Sequence, residues 1–272
     1  MTRTHGAAGS RRGTTPLPRP VAWAAALAAA LFVLPLVGLV VRAPWSTALA
    51  DLGTPEVATA LRLSLVCSLA ATACSIALGL PLAWLLARSD VRGRGLLRGL
   101  VMLPVVLPPV VGGVALLLAF GRRGIVGRWL DAAFGVTLPF TTAGAVLAET
   151  FVAMPFFVLT IEGALRGLDV RLEDAARTLG ARPWVVFRRV TLPLLRPSLA
   201  AGAVLCWARA LGEFGATITF AGNFPGRTQT LPLAVYAALE SKPEAGILLS
   251  LVLLAISLAV LVGLRRRWLG VP

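Results

Sequence analysis

The sequence predicts an all-α polytopic membrane protein with six transmembrane helices. Of its 272 residues, 57% are hydrophobic and 14% are charged, and the mean hydropathy is +0.84. That is too little charge to cover a soluble surface of this size. Several apolar runs reach the roughly 20 residues that a helix needs to cross a hydrocarbon core of about 30 Å. These runs are rich in Leu, Ala and Val without alternation of period two, so helices rather than a closed barrel satisfy their backbone groups.

Taken in order, residues 1–20 carry Arg3, Arg11, Arg12 and Arg19 among Gly, Ser, Thr and Pro and read as a disordered cytoplasmic tail. Residues 21–41 are one unbroken apolar run. It is longer than the core of a cleavable signal peptide, and Arg42-Ala43-Pro44-Trp45 follows in place of a small-residue cleavage site, so it is expected to be a retained first span. The second span is expected over 57–87, with Arg62 near its outer end able to snorkel. After a basic loop (Arg88, Arg92, Arg94, Arg98), the third falls at 99–120 and the fourth at 143–161. A long polar segment, 162–197, precedes the fifth span at 198–220 and the sixth at 246–264. Residues 21–264 thus form a single transmembrane domain, and 265–272 form a cytoplasmic C-terminus that opens with Arg265, Arg266 and Arg267.

Six spans place both termini on one side, and the charge distribution says which. Of the 26 Lys and Arg residues, four lie in 1–20, four in 88–98, seven in 162–197 and three in 265–267. The opposite loops hold only Arg42, Arg122, Arg123, Arg128, Arg227 and Lys242, and the spans hold Arg62 and Arg209. That bias puts both termini in the cytoplasm. It also accounts for the net charge of +14 without nucleic acid, which would require one solvated basic face. Three Arg residues in 121–142 run against the trend. Cys67, Cys74 and Cys206 lie in apolar spans and read as packing residues, Cys67 and Cys74 being too far apart along one helix for a disulfide. The single His, His5, lies in the tail, so no metal site is expected.

The 162–197 segment is too patterned for a plain connector. Leu168, Leu172, Ala175/Ala176 and Leu179 recur at helical spacing as one apolar stripe, with Arg171, Glu173, Asp174, Arg177 and Thr178 as the polar face. Gly180 is expected to end this helix in the left-handed conformation. Pro183 suits the first turn of a second helix, carrying Trp184, Phe187 and Val190, that must stop before Pro193. The result is a helix–Gly–helix elbow. Such an elbow either docks on a partner or lies on the membrane surface.

Asp174-Ala175-Ala176, three residues, Gly180, nine residues, then Val190-Thr191-Leu192-Pro193 resembles the EAA motif of ABC importer permeases. Asp174 replaces Glu and Val190 replaces Ile of that motif. The resemblance implies a type I importer permease fold in which this elbow is the coupling helix seated on a cytoplasmic ATPase. Glu173, Asp174, Ala175, Ala176, Arg177, Leu179, Gly180, Leu192 and Pro193 are the coupling residues it implies. A second resemblance covers about residues 55–264. Ala208–Thr217, with its Gly212-Glu213-Phe214-Gly215 core, is similar to the fifth span of oxyanion permeases. Ala221–Tyr236, Leu103–Gly112 and Phe120–Gly124 resemble molybdate permeases, while Gly-Glu-Phe-Gly and Gly-Asn elements are shared with sulfate permeases. The family implies a bacterial inner-membrane homodimer that works with two ATPase chains and an extracytoplasmic molybdate-binding protein. ATP and Mg would sit on the ATPase, leaving this chain without a cofactor or catalytic residue of its own. Tungstate and sulfate or thiosulfate remain alternative substrates.

Arg209 and Glu213, four residues apart, share one face of the fifth span, and Glu149 lies in the fourth. Charges at this depth face a bundle interior or an aqueous path. They read either as a translocation path for a dianion or as a structural ion pair. Pro81, Pro104, Pro108, Pro109 and Pro155 kink or interrupt spans. The turn-rich loop 221–243 is either a plain outer turn or, through Asn223, Arg227, Thr228 and Gln229, a docking surface for the binding protein. An intramembrane enzyme would need convergent acid, base or metal groups. An ATPase would need Gly-Lys-Ser/Thr, yet the only Lys is Lys242, between Ser241 and Pro243. A secondary transporter is the nearer rival, although no internal repeat is evident.

Overall fold

The computed structural model describes residues 18–268, with side chains as far as 263. The expected tail lies largely outside the described residues, as do 269–272 and the side chains of Arg265, Arg266 and Arg267. Every regular element among the described residues is helical. The chain divides into two bodies, residues 1–43 and residues 44–272. The first contains α1 (Arg19–Val41), entered through Pro20 in its first turn and carrying Pro35 inside.

The second body begins with α2 (Ala48–Leu52) and α3 (Pro55–Arg88). With 34 residues, α3 is about 51 Å long and exceeds the hydrocarbon thickness. The expected third span is divided into α4 (Arg94–Val106) and α5 (Pro109–Phe120). Pro108 and Pro109 remove two consecutive N–H donors, and Leu107 before them is extended at φ −65°, ψ 139°. After a tight turn comes α6 (Gly127–Phe134), within what reads in the sequence as a plain loop. The fourth span is α7 (Thr142–Gly167), capped by the Thr141 hydroxyl, which accepts from the Gly144 N–H at 3.0 Å. Pro81 and Pro155 lie inside α3 and α7 without dividing them.

Beyond lie α8 (Val170–Thr178), α9 (Pro183–Val186) and a π-helical turn, Phe187–Thr191, that runs directly into α10 (Leu192–Leu211). The second elbow helix therefore does not stop before Pro193. Pro193 occupies the first turn of α10, where an absent N–H does little harm, and the wide turn before it accommodates the ring. The fifth span also breaks, at Gly212–Phe214, before α11 (Gly215–Ala221). Residues 231–241, inside the expected turn-rich loop, form α12 (Leu231–Ser241), and α13 (Pro243–Trp268) closes the described chain. Among the described residues, five helical stretches are long and apolar enough to cross a membrane: Arg19–Val41, Pro55–Arg88, Thr142–Gly167, Pro183–Leu211 and Pro243–Gly263.

The seam of the bundle joins α3, α7 and α10. Ala71, Ala83, Leu86, Phe157, Ile161, Leu165, Leu195 and Cys206 are fully buried there. Gly79 and Gly202 let the neighbouring backbones close onto Phe157: a Cβ on either would lie 2.9 Å and 3.2 Å from its ring. Such small residues are how helices associate where lipid supplies no hydrophobic drive. Leu116, Ala148, Val152, Ala216 and Phe220 join α5, α7 and α11, and Ala60, Leu231 and Leu249 join α3, α12 and α13. The three cysteines are unpaired; Cys67 and Cys206 are buried, whereas Cys74 is exposed.

Candidate functional site

The elbow is built by its turn. Leu179 caps α8, and Gly180 follows at φ 82°. The Gly180 N–H donates to the Arg177 carbonyl at 2.9 Å, and the Ala181 N–H donates to the Ala176 carbonyl at 3.1 Å. This pair of bonds is the Schellman arrangement, which satisfies the last carbonyls of α8 and reverses the chain. Asp169 caps the other end, accepting from the Arg171 N–H at 3.0 Å. Pro183 then opens α9.

The faces of α8 differ from the sequence reading. Leu168 lies just past the end of α7 and packs on the bundle core, whereas most of the apolar stripe on α8 points outward: Leu172 is 49% exposed and Leu179 is 89% exposed. Trp184 of α9 is also exposed. Glu173, placed on the polar face by periodicity, is instead buried, while Asp174 and Ala175 are exposed and Ala176 is half-buried. The reason is tertiary. The Thr191 hydroxyl donates to Glu173 Oε1 at 2.9 Å, and Arg88 Nη2 stands 3.6 Å from the same oxygen. Asp174 pairs with Arg177 at 2.9 Å on the outer surface. Leu192 and Pro193 continue the same path into α10. An aromatic chain completes the attachment: Trp84 of α3 meets Phe187 edge-on at 5.2 Å, and Phe187 stacks on Trp184 at 5.4 Å.

A second buried carboxylate lies at the same end. Glu162 of α7 pairs with Arg166 at 2.6 Å and with Arg98 of α4 at 3.3 Å. Sequence reasoning missed Glu162 because its partner Arg98 is 64 residues away in the chain.

Within the bundle, Arg209 Nη1 lies 2.7 Å from Glu213 Oε2, and Glu213 Oε1 accepts from the Ala216 N–H at 2.8 Å. Glu213 therefore pairs with the end of α10 and caps α11, joining the two halves of the broken span. Glu149 is buried on α7 with Oε2 unbonded, and no ion pair joins it to Arg209 among the described residues. The two breaks face each other: a Cβ on Gly215 would lie 2.8 Å from Pro109 Cβ. In the 222–230 turn, Thr228 is fully buried; its hydroxyl accepts from the Phe224 N–H at 2.9 Å and donates to the Gly222 carbonyl at 3.2 Å. Thr228 thus holds the turn from inside, while Arg227 is exposed and Asn223 and Gln229 are half-buried.

The comparisons with known proteins fit this geometry. The family described as binding-protein-dependent transport system inner membrane component matches residues 79–270. The chain is 49% identical over 254 residues to the molybdenum transport system permease protein ModB of Mycobacterium tuberculosis, covering 93% of this chain and 96% of the relative. It is 46% identical over 211 residues to the protein of the same name from Escherichia coli K12, covering 78% and 92%. The sulfate transport system permease protein CysT of E. coli K12 is 36% identical over 230 residues, covering 83% of each chain. Among solved structures, a bacterial ABC transporter that imports alginate superposes with a TM-score of 0.70 at 17% identity, covering 93% of this chain and 96% of that one. The MetNI methionine ABC transporter gives a TM-score of 0.54 at 21% identity, covering 79% and 99%. The fold is that of ABC importer permeases, and the chain belongs to the family of binding-protein-dependent transport system inner membrane components.

Proposed function

We propose that this chain is the permease subunit of an ATP-driven molybdate importer in the bacterial cytoplasmic membrane. The elbow carries the reading. Its Gly180 turn joins α8 to α9, and Leu172, Leu179 and Trp184 of this elbow are all exposed. Exposed apolar side chains on a buttressed elbow fit the groove of a cytoplasmic ATPase better than open water. Asp174, Ala175, Ala176 and Arg177 belong to the same elbow, and Leu192 and Pro193 root it in α10.

The oxyanion assignment rests on the relatives. Identity to proteins named for molybdenum transport reaches 49%, against 36% for CysT. A homodimer of this chain with two ATPase subunits would bring two copies of the Arg209–Glu213 region together around one pathway. The binding protein would dock on the opposite side, on Asn223, Arg227 and Gln229. The chain itself then carries out no covalent step.

Reconstitution tests this directly. In proteoliposomes with the cognate ATPase and binding protein, ATP-dependent molybdate uptake is expected, with tungstate accepted and sulfate excluded. Sulfate uptake without molybdate uptake would move the chain to the sulfate permeases. Uptake without any ATPase would make it a secondary transporter.

A further inference from the structure

Two acids stand side by side near the start of the elbow and face opposite ways. The Asp174 side chain is 60% exposed and that of Glu173 only 5%. Glu173 gathers groups from three places in the chain. The Thr191 hydroxyl donates to Oε1 at 2.9 Å, Arg88 Nη2 lies 3.6 Å from Oε1, and Arg177 Nη2 lies 3.6 Å from Oε2. Thr191 is fully buried. Nε and Nη2 of Arg88 are buried with no hydrogen-bond acceptor among the described residues, and Glu173 is the charge that compensates them. Arg88 is the last residue of α3, and Thr191 is the last residue before α10. One carboxylate therefore ties α8 to the ends of two membrane helices.

Apolar packing does little of this for α8, because Leu172, Ala175 and Leu179 of its stripe are exposed. The aromatic chain Trp84–Phe187–Trp184 holds α9 and the π-helical turn, on the far side of Gly180. Without Glu173, α8 would be joined to the bundle mainly through the turns at its two ends.

We propose that Glu173 is a positioning residue that transmits displacement of α8 to α3 and α10, and that it is not an ATPase-docking residue. This rests on the reading of the elbow as the ATPase contact. Asp174, one residue on, belongs to the docking surface, so the two acids divide the work. A push on α8 moves the membrane helices only if α8 cannot swivel, and a buried charge-assisted bond resists swivelling more strongly than an exposed one.

The test uses the whole complex in proteoliposomes, with molybdate as the probe. Two quantities are read: ATP hydrolysed per molybdate taken up, and ATPase retained on the permease. Glu173→Ala is expected to raise ATP per molybdate about tenfold, the scale of one hydrogen bond to a charged group, with ATPase retention unchanged. Glu173→Gln falls between, because its amide oxygen still accepts from Thr191 but carries no charge for Arg88. Thr191→Val moves the ratio in the same direction, and the double variant Glu173→Ala/Thr191→Val is no worse than Glu173→Ala alone. Additive effects of the two substitutions would overturn the proposal. So would loss of ATPase retention in Glu173→Ala, which would make Glu173 a docking residue. Should Glu173→Ala fail to insert, Thr191→Val decides alone, and an unchanged ratio in it overturns the proposal. Failure of the unaltered chain to retain any ATPase would instead remove the importer reading, and the proposal with it.

Discussion

Gly180 sets the angle of the elbow through its backbone and not through lack of room. A Cβ built there meets nothing within 4 Å, yet φ is 82°. A β-branched residue held in that region costs of the order of 1–3 kcal/mol, and the Schellman bonds from Gly180 and Ala181 must loosen to relieve it. Gly180→Val is expected to leave the permease inserted but to abolish transport, with ATPase association lost or hydrolysis uncoupled from uptake. Gly180→Asn, which tolerates the same region, should retain most of the activity. Asp174→Ala should be milder, because its pair with Arg177 is exposed and such pairs contribute about 0–1 kcal/mol. Membrane insertion, co-purification of the ATPase and molybdate uptake check all three variants. Full assembly and transport by Gly180→Val would make the elbow a surface connector. The left-handed conformation of Gly180 was legible in the sequence because a glycine just past a helical stripe has a narrow range of backbone meanings. The burial of Glu173 was not legible. Periodicity assigns a charged residue to solvent, and the partners that draw it inward lie 85 residues before and 18 residues after it.

Two expected spans are each divided, and the division follows backbone chemistry that hydropathy cannot register. The run 99–120 is apolar on both sides of Pro108-Pro109, so an averaging window sees one span where the chain builds α4 and α5. Gly212–Phe214 likewise divides α10 from α11 inside one apolar run. The halves then cross closely. A Cβ on Gly113 would lie 2.6 Å from Thr219 Cβ, and one on Gly215 would lie 2.8 Å from Pro109 Cβ. Both crossings are therefore filled, and a single added methyl must displace a neighbour. Gly113→Ala and Gly215→Ala are each expected to destabilise the permease by about 1–3 kcal/mol, read as a lower Tm in detergent. Gly163, on α7, has open space around its Cα, so Gly163→Ala should be neutral or stabilising by up to about 1 kcal/mol. Equal Tm values for all three would mean that the α5–α11 crossing is loosely packed. Helix α12 escaped the sequence reading for a related reason: the turn formers Gly222-Asn223, Pro225-Gly226 and Lys242-Pro243 on either side drew 221–243 into one loop, although Pro232 suits a helix start.

At the scale of the molecule, the structure gathers charge at one end of the bundle. Arg88 at the end of α3, Arg98 in α4, Arg166 in α7 and Arg177 in α8 converge there on Glu162 and Glu173. The segments that supply them are those whose excess of arginine reads as cytoplasmic, and they include the elbow. The opposite end holds the 222–230 turn, tied to the start of α7 by the Thr142 hydroxyl, which donates to the Arg227 carbonyl at 2.8 Å. Helices α7, α10 and α11, with the turn after them, carry the chain from that end to the elbow and back, so residues 168 and 227 should lie on opposite sides of the bilayer. Single cysteines test this in a background from which Cys67, Cys74 and Cys206 have been removed. Arg227 is exposed and its side chain is free of the Thr142 bond, so Arg227→Cys should label with a membrane-impermeant thiol reagent in sealed cells. Leu168→Cys, between α7 and α8, should label only after the membrane is opened. Labelling of both from outside would place the elbow in the extracytoplasmic space, where no ATPase could reach Leu179 or Trp184, and the importer reading would fall with the topology.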